Sequence, residues 1–443
     1  MNTPICDFVR SYADQNMLRF HMPGHKGSGF LGLEKLDITE ISGADSLYEA
    51  SGIIRESEEN ASALFGCPTF YSTEGSSLCI RAMLYLAVLH AKACGKAPRI
   101  AAARNAHKTF ISAAALLDLD VKWIYPEEGA SYLSCTIDAA SLDALLSSES
   151  YFAVYVTSPD YLGSMADIED LARICHKYDT LLLVDNAHGA YLRFLPESRH
   201  PIDLGADLCC DSAHKTLPVL TGGAYLHISP AAPALFMQQA RQALALFGST
   251  SPSYLILQSL DACNRALAED YAAILAAFSV ETDKLRQALM QHGYTICGCE
   301  EIKLTICTKP YGYTGAELSD ILLEQGIVCE FADPDFIVFM FAPENGAAGL
   351  KQLEAGLKAI PQRKAIMEAA PAFRNAEQSL TIREAALSPS EILPAADCEG
   401  RILAASTVGC PPAVPIVVCG ERIDMHAIEC FKYYGIENCT VVK

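Results

Sequence analysis

Residues 151–185 read YFAVYVTSPDYLGSMADIEDLARICHKYDTLLLVD. Tyr151 to Val156 is an unbroken apolar run that closes at Thr157-Ser158-Pro159, the composition of a buried strand running into a turn. Ile168, Leu171 and Ile174 then recur at helical spacing between Asp167 and Lys177. Leu181-Leu182-Leu183-Val184 gives a second buried strand, ending at Asp185. Strand, helix, strand in this order is a βαβ unit. The same alternation runs from about residue 60 to residue 250, so the chain is expected to be α/β, with a mainly parallel sheet covered by helices on both faces. Ligands of such sheets bind beyond the carboxyl ends of the strands, which is where Thr157, Ser158 and Asp185 fall.

Beyond this block the texture changes. Long helical stretches, Ala262 to Gln291, precede the short strands Lys303 to Cys307 and Phe336 to Met340, as expected of a smaller α+β domain. A third segment starts near Pro371. It carries Pro411-Pro412-Ala413-Val414-Pro415 and the strand Ile416-Val417-Val418, and reads as a compact β-rich module. The expected division is 1–255 for an N-terminal segment plus large domain, 256–370 for the α+β domain, and 371–443 for the C-terminal domain.

The chain has 443 residues, of which 51% are hydrophobic and 19% charged, enough to build a sizeable core. Lys and Arg number 33 against 53 Asp and Glu, a net charge of −20, which argues against a nucleic-acid binder that tracks phosphates with a basic face. Met1 to Asp7 lacks the basic and apolar regions of a signal peptide. The charge-free runs 216–240 and 402–420 are broken by Pro218, Gly222, Gly223, Pro230 and Pro233, and by Pro411, Pro412 and Pro415, so neither reads as a membrane span. The 18 cysteines include no CxxC pair, and are expected to be free thiols in a cytoplasmic protein with no metal site. His21 and His25 flank Pro23 and Gly24, which keeps them off one helix face and argues against a metal pair.

The chemistry concentrates in Asp211-Ser212-Ala213-His214-Lys215-Thr216, a lysine on an irregular segment among hydroxyls. An acid at one strand end, Asp185, and a lysine one unit later, Lys215, are what a pyridoxal 5'-phosphate site needs. The lysine forms a Schiff base with the aldehyde, and the acid keeps the pyridine nitrogen protonated. Glu74-Gly75-Ser76-Ser77 opens a helical run and suits a phosphate, although a plain serine N-cap reads the same way. His107, after the small-residue strand Ile100 to Ala103, is either a ring-stacking group or a structural histidine. Gly248-Ser249-Thr250-Ser251-Pro252-Ser253 is a hydroxyl-rich turn between two helical runs, either a helix cap or a second phosphate contact.

These segments resemble the Orn/Lys/Arg decarboxylase family of fold type I pyridoxal-phosphate enzymes. The stretches that carry the likeness are His21 to Gly27, Asp37 to Glu40, Arg104 to Lys108, Asp185 to Ala190, Ser212 to Lys215 and Ser249 to Pro252. The tail Gly400-Arg401-Ile402 and Gly420-Glu421-Arg422-Ile423 carries it further. The resemblance implies an aspartate-aminotransferase-like large domain and a short form without an N-terminal wing. It also implies decarboxylation of arginine, lysine or ornithine to the amine. By that likeness Lys215 holds the cofactor, Asp185 faces the pyridine nitrogen, His107 stacks on the ring, Ala187 packs on the opposite face, and His188 lies near the phenolic oxygen or the substrate carboxylate. Gly75, Ser76, Ser77, Ser212 and His214 surround the phosphate. Ser249, Thr250 and Ser251 reach the phosphate of a neighbouring subunit, which implies a homodimer with the active site at the subunit interface. Either Lys215 or His107 returns the proton to the α-carbon. Glu74 and Asp45 are candidate partners for the substrate's distal cation, or ordinary loop acids. The chain departs from the family's usual pattern at Asn186, where Glu is usual, at Tyr191, where His is usual, at Ala413 and Cys419, where Gly and Pro are usual, and at Glu74, where an amide is common. A transaminase or other lyase of the same fold, and an inactive cofactor-binding regulator, are the alternative readings.

Overall fold

The structure, a computed structural model, describes residues 1–126, 132, 135–408 and 414–443. Pro411, Pro412 and Ala413 of the proline-rich segment lie outside the described residues. The chain divides into two compact units, one of Met1–Ala97 with Ile168–Ala273, the other of Pro98–Asp167 with Ile274–Lys443. In chain order the principal strands are β1 (Thr69–Ser72), β2 (Arg99–Ala103), β3 (Asp120–Ile124), β4 (Ala153–Thr157), β5 (Leu181–Asp185), β6 (Leu208–Asp211) and β7 (Ala224–Ile228).

The first unit holds β1, β7, β6 and β5, hydrogen-bonded in that order. β5 and β6 are parallel, and β7 runs antiparallel to both β6 and β1. Two reversals leave β1, β6 and β5 pointing the same way, so Ser72, Asp211 and Asp185 end on one edge. The four strands are buried throughout, which is why β5 reads as a continuous apolar run rather than an alternating one. The amphipathic helix Ile168–Lys177 buries Ile168, Leu171, Ala172, Ile174 and Cys175 and packs against β5. The helix Gly75–Ala93 packs on Ala234–Phe247 and against β6 and β7. The helical stretches expected between Ala262 and Gln291 are two helices, Tyr254–Ala268, which starts earlier than expected, and Tyr271–His292, with the break at Glu269. Apolar spacing misses such a break because each helix keeps its own buried stripe.

In the second unit β4, β2 and β3 are parallel. A four-stranded antiparallel sheet is built from β8 (Thr295–Cys297), β9 (Lys303–Cys307), β10 (Phe331–Ala332) and β11 (Phe336–Met340), in the order β10-β11-β9-β8. Two small antiparallel pairs, Ser390–Pro394 with Asn438–Val442 and Thr407–Val408 with Val417–Val418, belong to the C-terminal segment. Leu162, Val338, Val414, Ile416, Phe431 and Val441 share one apolar cluster. The expected strand Ile416–Val418 is trimmed to Val417–Val418. No helix among the described residues is long and apolar enough to cross a membrane.

Candidate active site

Within the first unit, β5 and β6 deliver the two chemical groups that the sequence singles out. Asp185 closes β5 in register with Cys210, and β6 runs into the single helical turn Ala213–Thr216 that carries Lys215. The lysine is therefore on a short helix rather than on irregular chain. Its side chain is exposed, and Nζ lies 3.0 Å from His188 Nε2. Asp185 is 2% exposed, and its carboxylate accepts from the Ala187 amide at 3.2 Å and from the Cys210 thiol at 3.7 Å. Ala187 and His188 follow at once, both buried. An exposed lysine thus stands on the turn that follows β6, the strand next to the one that ends in a buried acid.

A cradle for an anion lies on the same edge. β1 leads through Thr73 and Glu74 into the helix Gly75–Ala93, whose first-turn amides have no intrahelical acceptor. Gly75 adopts φ +70, a left-handed conformation that favours glycine, and its amide donates to the Gly222 carbonyl at 2.7 Å. Gly222, at φ +101, sits so close that a Cβ would come within 2.9 Å of the Thr73 carbonyl oxygen. The N-cap residue is Glu74, with no side-chain capping bond, so the plain serine cap is not what forms. Ser76 and Ser77 lie in the first turn instead, half-buried, and Ser212 Oγ donates to Ser76 Oγ at 2.8 Å. His214 Nδ1 lies 3.0 Å from the Gly223 carbonyl, which can only accept, so this nitrogen carries the proton. Burial pushes the His214 imidazole below its ordinary value, and Lys215 acts in the same direction. Ser249 is tied to this region through its amide, which donates to Glu74 Oε1 at 2.5 Å. Thr250 and Ser251 are exposed beside it, and Ser253 caps the helix Tyr254–Ala268.

Both acids considered for a distal cation have backbone partners. The Asp45 carboxylate accepts from the amides of Ser46, Ser51, Gly52, Ile54 and Arg55, at 2.8–3.4 Å. It anchors the start of the helix Ile53–Phe65, whose Gly52 N-cap has no side chain for the task. Burial alone raises the Asp45 carboxyl, but the Ser51, Gly52, Ser46 and Arg55 amides outweigh it and hold the group below its ordinary value. Asp45→Ala is expected to cost about 1–2 kcal/mol of stability. The folded pKa is depressed, so this contribution is full above the ordinary value of 3.8 and fades as pH falls through the lower folded one. Urea denaturation of the two proteins at neutral pH and near pH 3 checks both the size and the sign.

His107 belongs to the second unit, where β2 ends in Arg104-Asn105-Ala106. It is exposed and caps the helix Lys108–Leu117, Nδ1 accepting from the Thr109 amide at 3.2 Å and lying 2.9 Å from Thr109 Oγ1. Three residues earlier, Arg104 is buried and forms a bidentate pair with Glu421, both contacts at 2.7 Å. Its guanidinium also lies over the Trp123 and Tyr125 rings.

The structure thus brings together Gly75, Ser76, Ser77, Asp185, Ala187, His188, Ser212, His214 and Lys215 in the first unit, with Ser249 at the rim. It places His107 on a helix start in the other unit. Sequence reasoning named Asn186 and Asp211 without giving them a role and missed His200 and His227; Asn186, His200 and His227 all bond to the Asp211 carboxylate beneath the Lys215 turn. Asp211 had the signal that drew attention to Asp185, an acid at the carboxyl end of a buried strand. Tyr191 is fully buried, and Cys419 is a buried thiol that donates to the Ile382 and Ala404 carbonyls.

Comparison with known proteins supplies independent findings. The family described as Orn/Lys/Arg decarboxylase, major domain, matches residues 3–306. The chain is similar to the arginine decarboxylase of Bacillus subtilis, 29% identical over 460 residues that cover 95% of this chain and 91% of that protein. It is similar also to the arginine decarboxylase of Bacillus anthracis, 28% identical over 462 residues covering 96% and 92%. Among solved structures, the lysine decarboxylase of Francisella novicida superposes with a TM-score of 0.80 over 100% of this chain and 81% of that one. At 16% identity that likeness concerns the fold.

Proposed function

Because this chain belongs to the Orn/Lys/Arg decarboxylase family, we propose that it converts L-arginine to its decarboxylated amine with pyridoxal 5'-phosphate held in the first unit. Decarboxylation of a basic amino acid is the activity of the family. The choice of arginine rests on the full-length relatives, whose names specify it. The observation that carries the cofactor assignment is the pairing of an accessible Lys215, 3.0 Å from His188, with the buried Asp185 on the neighbouring strand.

The residues present fit that cofactor. A glycine-lined helix start beside the Ser76, Ser212 and His214 side chains suits a phosphate. An acid shut away from water, next to a small residue, suits a protonated ring nitrogen. When bound, the group supplies an electron sink for the pair left behind as carbon dioxide departs. Lys215 Nζ would hold its aldehyde end, with His188 Nε2 3.0 Å away to exchange a proton with that nitrogen. Asp185, shut away from water, would face the ring nitrogen and favour its protonated form. Gly75, Ser76, Ser77, Ser212 and His214 would hold the phosphate, and Ala187 would pack on one ring face. His107, exposed at its helix start, is assigned to the other face; it or Lys215 returns a proton to the α-carbon. Rate would be gained only by contacts that favour the departing carboxylate's reactive orientation over the ground state.

The same proposal includes a homodimer. Leu18, Phe20, Met22, Phe30 and Leu31 form an exposed apolar stretch in the N-terminal segment, and a second copy of the chain is the partner assigned to cover it. The exposed Ser249-Thr250-Ser251 turn then reaches the neighbouring phosphate. Light scattering of a Phe20→Ser, Phe30→Ser variant is expected to show dissociation to monomers; a wild-type protein that is monomeric contradicts the dimer. A cytoplasmic site of action, with thiols such as Cys79, Cys209 and Cys210 serving as small core side chains, belongs to the proposal too. So does the division into 1–255, 256–370 and 371–443 as folding modules. The deciding experiment incubates cofactor-loaded enzyme with arginine, lysine and ornithine and measures carbon dioxide and the amine by mass spectrometry. Agmatine formed at least about tenfold faster than either other product is expected. Equal or greater release from lysine or ornithine overturns the substrate, and silence with all three overturns the activity.

A further inference from the structure

Directly under the Lys215 turn lies a buried polar network that the reaction scheme does not use. Asp211, the last residue of β6, is fully buried. Its Oδ1 accepts from Asn186 Nδ2 at 2.7 Å. Its Oδ2 lies 3.2 Å from His200 Nε2 and 3.1 Å from His227 Nε2, and both imidazoles are fully buried. A carboxylate only accepts, so each of these imidazole nitrogens carries a proton. On its far side His227 Nδ1 meets Thr69 Oγ1 at 2.9 Å. Burial pushes the Asp211 carboxyl up, but the two imidazoles outweigh it and hold the group below its ordinary range.

The placement of Asn186 is equally constrained. Its amide donates to the Cys210 carbonyl at 3.0 Å, and its carbonyl accepts from Gly189 at 2.8 Å. A Cβ on Gly189 would come within 2.0 Å of Asn186 Oδ1 and 2.7 Å of Leu192 Cδ1. The backbone at 189 is in an ordinary region, so a side chain there would be opposed by the Asn186 and Leu192 side chains rather than by backbone strain. Asn186 sits between Asp185 and the pair Ala187-His188, whereas Asp211 sits immediately before Ser212-Ala213-His214-Lys215. The Asn186–Asp211 hydrogen bond therefore joins the two turns that carry the acid and the amine.

We propose that Asp211, held by Asn186, His200 and His227, is the positioning residue that sets the Asp185–His188 turn against the Ser212–Lys215 turn. Its carboxylate is fully buried against Asn186, His200 and His227, and it acts through its neighbours. This rests on the pyridoxal-phosphate reading of the site. The test titrates pyridoxal 5'-phosphate into apoprotein, following visible absorbance and intrinsic fluorescence, with circular dichroism as a check on folding. Asp211→Asn is expected to weaken cofactor binding about tenfold or more and to shift the visible band. Gly189→Ala, which pushes the Asn186 amide away and alters no charge, is expected to move both readouts the same way. The swap Asn186→Asp with Asp211→Asn restores one acid and one amide across the same gap, and is expected to recover most of the affinity. Should Asp211→Asn fail to fold, Gly189→Ala and the swap decide. Folded Asp211→Asn and Gly189→Ala proteins with wild-type affinity and band would overturn the proposal, leaving the network a stability element only. So would a stoichiometric metal ion retained by the wild type and lost in Asp211→Asn, because His200, Cys209 and Asp211 are also a possible donor set and the metal would replace the shared protons. A wild-type protein that binds no cofactor instead contradicts the reading on which the proposal rests.

Discussion

Lys215→Ala is expected to lower kcat/KM by at least roughly a thousandfold without unfolding the protein. The argument has two parts. Lys215 is exposed on a one-turn helix, so its removal leaves no large cavity and strands no buried charge. The rest of the site stays in place, because Ser76, Ser212 and His214 are held by bonds that do not involve the lysine. The variant should therefore still take up the cofactor through its phosphate while failing to turn over. Lys215→Arg is not expected to rescue, since a guanidinium remains protonated and cannot act as the nucleophilic amine. Steady-state kinetics with cofactor in excess, alongside circular dichroism, checks this. A folded Lys215→Ala enzyme within tenfold of wild type would contradict it.

Arg104→Ala is expected to have the largest effect on stability, about 3–5 kcal/mol. Arg104 and Glu421 are each 1% exposed, so deleting either leaves the other as an unpaired charge away from water. The Glu421 carboxylate also accepts from the Val418 amide at 2.8 Å, which spreads the loss into the C-terminal segment. That segment reaches the helix of His107 a second time, where Arg383 donates to the Ala115 and Leu116 carbonyls at its end. Losing Arg104 should therefore loosen the loop before His107 as well as the tail. Replacing both partners with apolar residues, Arg104→Met with Glu421→Leu, is expected to recover most of the stability, since the cost lies in the stranded charge. Denaturant midpoints for the two single variants and the double variant test this. Single variants as stable as wild type would contradict it.

The parts of this fold that were legible in the sequence are those whose signal is local. β4, β5 and the helix between them follow from apolar runs and helical spacing within 151–185, because a strand buried on both faces and an amphipathic helix each leave a pattern in consecutive residues. The break at Glu269 leaves none, since the apolar periodicity on either side is intact. The site divides in the same way. Asp185 and Lys215 could be found because each ends a recognisable strand or motif. The backbone duty of Asp45 was hidden, because its acceptor atoms serve amides up to ten residues ahead that only the folded turn brings close. The Arg104–Glu421 pair and the Asn186–Asp211 bond join residues far apart in the chain, and no local pattern records such a partner. Two stretches quoted separately for their family likeness, Arg104 to Lys108 and Gly420 to Ile423, thus meet in one ion pair.

The most direct measurement reduces the cofactor-loaded protein with borohydride, digests it and locates the added cofactor mass by tandem mass spectrometry. The account predicts a single modified residue, Lys215, with the yellow absorbance lost on reduction. Modification confined to another lysine, or no stable adduct in protein that has taken up the cofactor, would contradict it.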